Sequence, residues 1–138
     1  MIHLPLLLIA CGPVLVRDLD DLRGEWSGSY QSLTTDQTSW QLLELQFRVA
    51  STGREAELAL RSTAELPEET DLTYNCVAGV PNPGHVRLQD CIRTIDYPND
   101  PEREQEEAPY SELNYLRSAV DKESLFLGSF VLQLTNPA

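Results

Sequence analysis

The chain offers little to a catalyst. Its reactive inventory is three cysteines (Cys11, Cys76, Cys91), two histidines (His3, His85) and 22 acidic residues. His85 stands beside a breaker-rich stretch, residues 79–84, and a lone histidine at such a turn is more often solvated than catalytic. No serine occupies a Gly-x-Ser-x-Gly elbow, so a nucleophile–base pair is missing. Carboxylates are abundant, but abundance in an acidic protein says nothing about a glycosidase pair. Zinc wants four ligands, and near Cys76 and Cys91 the only other soft one is His85. Asp96, Asn99, Asp100 and Glu102 supply oxygens of the kind Ca²⁺ takes. Their spacing matches no EF-hand loop, and Pro98 and Pro101 constrain them, so a solvated loop is the expectation. The residues point to no enzyme, no metal and no cofactor.

Cys11 has a different chemistry. It closes an apolar run, residues 4–10, that is too short to span a bilayer, which takes roughly 20 residues. The run suits the core of a signal peptide ending in a small residue. Leu8-Ile9-Ala10-Cys11 resembles the lipobox of bacterial lipoproteins. That resemblance implies that residues 1–10 are removed as a signal peptide and that Cys11 carries diacylglycerol and fatty acyl chains such as palmitate. At roughly 0.8 kcal/mol per buried methylene, two or three chains hold a protein stably on a membrane where one does not. Gly12, standing where Asp would retain the protein at the inner membrane, implies the outer membrane, with the domain facing the periplasm. Residues 11–21 then read as a lipidated tether.

With Cys11 set aside for lipid, Cys76 and Cys91 remain as an even pair in an oxidising compartment, where a disulfide is expected. Closing that loop of about 15 residues contributes roughly 3 kcal/mol in the chain-entropy model. Two buried free thiols are the alternative.

The elements that must position these groups are strands. Leu22, Trp26 and Tyr30 share one parity, with Gly24 and Gly28 between them. Residues 40–49 alternate well, Leu43, Leu45, Phe47 and Val49 against Glu44, Gln46 and Arg48. A turn at residues 51–54 leads to a second alternating run with Ala56, Leu58 and Leu60 inward, which together make the clearest hairpin. Such one-sided faces belong to an antiparallel sheet. Residues 71–78 form another strand (Leu72, Tyr74, Cys76, Ala78), residues 79–84 turn, and residues 85–95 return. Val86, Leu88 and Ile92 share a parity that Cys91 does not, so a twist or bulge is needed there. Residues 96–109 hold three prolines, six acidic residues and one arginine, a long exposed loop. Residues 111–120 and 125–135 form the last hairpin, with Phe126, Gly128, Phe130, Leu132 and Leu134 on the core face. The expectation is an all-β fold of about seven or eight antiparallel strands, a small barrel or sandwich, forming one domain over residues 22–138.

Gly24-x-Trp26 is similar to the first-strand motif of lipocalin-like barrels, where the tryptophan plugs the closed end. Residues 27–30 and 53–58 resemble the Ser-Gly…Tyr and Gly-x-x-Ala-x-Leu elements of periplasmic inhibitors of c-type lysozyme. The first resemblance implies a carrier of a small apolar ligand, the second an inhibitor of a basic enzyme.

Charge narrows the partners. Ten basic residues against 22 acidic give −12. Such a surface repels nucleic acid and anionic headgroups, which need clustered Lys and Arg. Residues 96–107 concentrate −5 (six acidic, one basic). Asp100, Glu102, Glu104, Glu106 and Glu107 are therefore the expected binding residues for a basic protein partner, reached through charge steering. The leading functional expectation is a non-catalytic binding or assembly module held at the outer membrane by lipid on Cys11.

Metabolic labelling with a clickable fatty acid checks the anchor. The wild-type chain should take up label and Cys11→Ser should not; equal labelling of both removes the lipoprotein reading.

Overall fold

The structure is a computed structural model that describes residues 12–33, 40–62 and 69–137. The lipobox, with Cys11 and residues 1–10, lies outside the described residues, as do residues 63–68 of the loop after the second alternating run.

The alternating runs pair as their faces dictate. β3 (Trp40–Val49) and β4 (Glu55–Ser62) set Phe47 opposite Leu58 and Val49 opposite Ala56. Leu45, Phe47, Val49, Ala56 and Leu58 are buried, while Gln46 and Arg48 face water. The connection is tight, with Gly53 at φ +77°, where a side chain would be strained.

Every strand from β2 to β9 pairs with its sequence neighbour. β2 (Gly24–Leu33) is followed by β3 and β4, then β5 (Asp71–Asn82), β6 (His85–Asp96), β7 (Glu106–Asp121), β8 (Ser124–Leu127) and β9 (Phe130–Asn136). β9 returns to β2, so eight antiparallel strands close into an up-and-down barrel. Over the stretch where β8 and β9 bridge β7 and β2, closure removes the exposed edges of an open sheet. Eight strands leave an interior just wide enough for side chains or one small ligand.

One end is sealed by the segment before β2. β1 (Val14–Leu15) adds to the end of β7 that β6 no longer reaches, Val14 opposite Val120 and Leu15 opposite Ala119. A 3-10 turn (Leu19–Leu22) then crosses the barrel end, capped by the Asp18 side chain, which accepts from the Asp20 amide. Val16 and Leu22 are fully buried. Trp26 donates its indole N–H to the Leu22 carbonyl at 2.9 Å. Arg23 donates to the carbonyls of Ala50 (2.6 Å) and Gly53 (3.1 Å), tying this turn to the β3–β4 turn. The Gly84 amide donates to Val16 O at 2.7 Å, and the Ser118 amide to Gly84 O at 2.8 Å, which ties in the β5–β6 turn and β7. Among the described residues, the fold therefore already includes Val14 and does not start only at Leu22. Residues 14–21, expected as tether, are part of the structure.

Other elements differ from expectation for identifiable reasons. Residues 79–82 do not turn but extend β5, and the turn is only Pro83-Gly84. A register shift between Gly79 and Asn82 places Pro81 where no ladder bond is required of it. β7 is longer than expected and absorbs residues 106–109, with Pro109 opposite Ile92. The last run is two strands, broken at Gly128 (φ +61°), so Leu125, Leu127 and Leu132 are buried while Phe126 is only half-buried and Val131 exposed.

Cys76 and Cys91 form a disulfide, S–S 2.08 Å. The bulge that their parity demanded is present. The β5–β6 register slips between Asn75 and Val77, and Asp90 takes φ +53°, a left-handed conformation that Asp tolerates better than most residues. Past that bulge the inward set is Cys91, Arg93 and Ile95. Ile92, expected in the core, is 39% exposed.

Trp26→Phe should destabilise the fold by about 1–3 kcal/mol, from the lost indole bond to a buried carbonyl plus a modest void. Urea unfolding followed by circular dichroism measures it; a change below a few tenths of a kcal/mol shows that Trp26 does not hold the sealed end.

Candidate ligand site in the barrel interior

Because paired residues on adjacent strands face the same way, the register defines rows of side chains inside the barrel. One row runs Leu134, Trp26, Phe47, Leu58, Tyr74, Arg93, Ala108. The next, away from the sealed end, runs Gly28, Leu45, Leu60, Leu72, Ile95, Glu106. Trp26, Phe47, Leu58 and Tyr74 are buried and apolar or aromatic. The sealed half of the lumen is thus filled, with Val86, Leu88, Leu125, Leu127 and Leu132 completing it.

Arg93 is the exception in its row. It is half-buried, and its Nε is shielded from water with no hydrogen-bond partner. Its guanidinium lies 5.4 Å from the centre of the Tyr110 ring, a cation–π contact. Tyr110 in turn meets Tyr74 edge to face at 5.1 Å. The acidic residue nearest by register, Glu106, is exposed and accepts a hydrogen bond from the Tyr97 hydroxyl. That bond to a carboxylate raises the Tyr97 pKa above its ordinary value.

On the outer wall of the sealed end lies a shallow groove of about 370 Å³, where Leu15, His85, Arg117, Phe126 and Gly128 meet. His85 is the first residue of β6, half-buried and opposite Arg117. Ser118 lines the groove too, but its hydroxyl donates to the Leu116 carbonyl at 2.9 Å.

The acidic residues separate into two groups. Asp100, Glu102 and Glu104 are in the β6–β7 loop, whereas Glu106 and Glu107 open β7. The loop is built of successive turns: Asp100 N to Tyr97 O and Arg103 N to Asp100 O, both 3.1 Å. Asp100 accepts from the Glu102 amide at 3.2 Å, and Asp96 from the Gln105 side chain at 2.8 Å. These two carboxylates of the considered Ca²⁺ set thus serve their own loop, and no grouping of three or more metal-type ligands occurs among the described residues. Arg103 stacks on Tyr97 at 3.9 Å, which leaves the exposed carboxylates of the loop to set its charge.

Arg93 drew no attention in the sequence because the β6 parity was counted from Val86 and Leu88. Counting instead from the disulfide turns Cys91, and with it Arg93, inward. No known protein family, characterised protein or solved structure matches this chain. Its class is that of its geometry, a small closed β-barrel with one sealed end.

Proposed function

We propose that the chain is a lipid-anchored barrel that binds a small apolar ligand in its interior, in the manner of lipocalin-like carriers. The observation that carries this is an eight-stranded up-and-down barrel sealed at one end by the segment preceding Gly24-x-Trp26, with Trp26 inside the seal. A single sealed end gives an apolar pocket a floor, and the second inward row (Leu45, Leu60, Leu72, Ile95) gives it apolar walls. The Cys76–Cys91 disulfide supports an oxidising compartment outside the cytoplasm. Together with Leu8-Ile9-Ala10-Cys11 this supports a place at the outer membrane, facing the periplasm. Binding there needs no catalytic residue.

Titrating the purified full chain bearing Cys11→Ala with an uncharged environment-sensitive dye tests the reading. Saturable enhancement at about one dye per chain, competed by a long-chain alcohol, is the expected result. No saturable binding of any apolar probe ends the carrier reading.

A second reading is favoured by the fixed, exposed acidic loop. In it the chain docks a basic protein partner through Asp100, Glu102, Glu104, Glu106 and Glu107. Exposed charges of this kind act mainly on association rate, and less as salt rises. Neutralising all five to Asn and Gln should slow association with a basic partner captured by the tagged chain, and leave the barrel folded. An unchanged, salt-independent on-rate removes the loop from recognition.

A further inference from the structure

We propose that the outer wall beside the sealed end lies on the lipid bilayer, with Leu15, Ala119, Phe126 and Val131 in its interface and the acidic loop turned away into water. The proposal rests on the reading of Cys11 as the lipid-bearing residue. It adds a second contact with the membrane, made by the folded domain itself.

The surface comes from the register. Leu15 pairs with Ala119, Ala119 with Phe126, and Phe126 with Val131, so the four form one row across β1, β7, β8 and β9. Their strand neighbours Val120, Leu125, Leu127 and Leu132 belong to the core, so this row faces outward. Outward positions on a strand in water are normally polar, as Gln46 and Arg48 are on β3. In this row they are apolar: Leu15 is 57% exposed and Val131 45%, with Phe126 half-buried between them. Across four strands about 4.8 Å apart the row is about 14 Å wide. Single exposed apolar side chains are ordinary, but a continuous row of them marks a surface that meets something apolar. The groove of about 370 Å³ lies between this row and the next outward pair, His85 and Arg117.

What the row meets is fixed by the tether. Cys11 stands three residues before Val14. Such a stretch reaches at most about 11 Å even when fully extended. Lipid on Cys11 therefore holds β1, and the row that starts at Leu15, close against the bilayer. A tether running to Asp21 would let the domain tumble freely; one that ends at Pro13 does not.

Charge agrees with this orientation. Around the row Arg117 and Lys122 balance Asp121 and Glu123. Arg117 is exposed, and a side chain of that length can lay its stem on the apolar row with its guanidinium among headgroup phosphates. The acidic residues 96–107 lie towards the other end of β7, where Glu106 is 13 residues from Ala119. At about 3.3 Å per residue that is about 40 Å along the strand, several screening lengths. An anionic bilayer therefore repels the loop far more than it repels this wall.

The test uses the lipidated chain in vesicles of phosphatidylethanolamine and phosphatidylglycerol, its acylation verified by mass spectrometry. A nitroxide is attached in turn to Leu15→Cys, Val131→Cys, Gln46→Cys and Glu104→Cys, all exposed positions. Collisions with oxygen, which concentrates in the bilayer, are compared with collisions with a water-soluble nickel chelate. Oxygen should dominate at Leu15 and Val131, and the chelate at Gln46 and Glu104. Chelate dominating at all four positions of an acylated chain would overturn the bilayer contact and leave the anchor intact. Shielding of Leu15 and Val131 from both reagents would also overturn it, because a protein surface then covers the row. A chain that carries no acyl group would overturn anchor and contact together. Should one labelled variant not fold, the other still decides, since Leu15 and Val131 each report on the row.

Discussion

A β-barrel is free of edges only if its first and last strands find one another, and here that contact is short. β9 meets β2 through Glu25–Asn136, Trp26–Leu134 and Ser27–Gln133, and β8 meets β7 through four pairs ending at Ser118–Leu127. Apart from the two-residue pairing of β1 with β7, all other ladders are hairpins between sequence neighbours, which are local and assemble readily. The closing contact joins residues more than a hundred positions apart and bears the largest loop-closure cost in the chain. It is reinforced at the same level by the Thr135 hydroxyl on Glu25 O at 3.0 Å and by the Leu134 amide on Glu123 O at 2.7 Å. The N-terminal turn, Leu22, Trp26 and Arg23 lock that end of the barrel from inside.

The location of the seal explains the distribution of side chains along the barrel. Where the strands all meet, the interior is filled with Leu, Val, Phe and Trp in a packing that has no use for a polar group. Further along, β8 and β9 have ended, and β2 and β7 run on with fewer ladder partners among the described residues. That is where Tyr74, Tyr110 and Arg93 stand. One row of the ladder therefore carries apolar or aromatic residues from β9 to β5 and a partly buried cation on β6.

What could be read from the sequence depended on alternation. β3 and β4 were legible because polar and apolar residues change places at every step with a glycine turn between them. The disulfide followed from lipidation arithmetic, and the bulge from its parity conflict. Three features resisted. Residues 79–84 hold two prolines and two glycines, but a strand accepts Pro81 where the ladder slips, so breakers did not mean a turn. Gly128-Ser129 is a two-residue hairpin signal that was masked by apolar residues on both sides, and reading through it inverted the faces of Phe126 and Leu127. Val14 and Leu15 looked like linker because both side chains are exposed, and what they contribute is backbone pairing to β7, which composition does not reveal. Arg93 was hidden by the same bulge that the cysteines announced.

The chain and its inward face differ in the sign of their charge. The chain totals −12, and residues 96–107 hold six acidic residues and one arginine, yet Arg93 stands partly buried against the Tyr110 ring. Beyond about 10 Å at ordinary ionic strength exposed charges are largely screened, so each group acts on what comes close to it. β6 carries Arg93 and runs into the acidic loop at Asp96, whose carboxylate accepts from the Gln105 side chain at 2.8 Å. The inward cation and the base of that loop are thus three residues apart on one strand, and the ladders from β6 to β5 and β7 that fix the one fix the other.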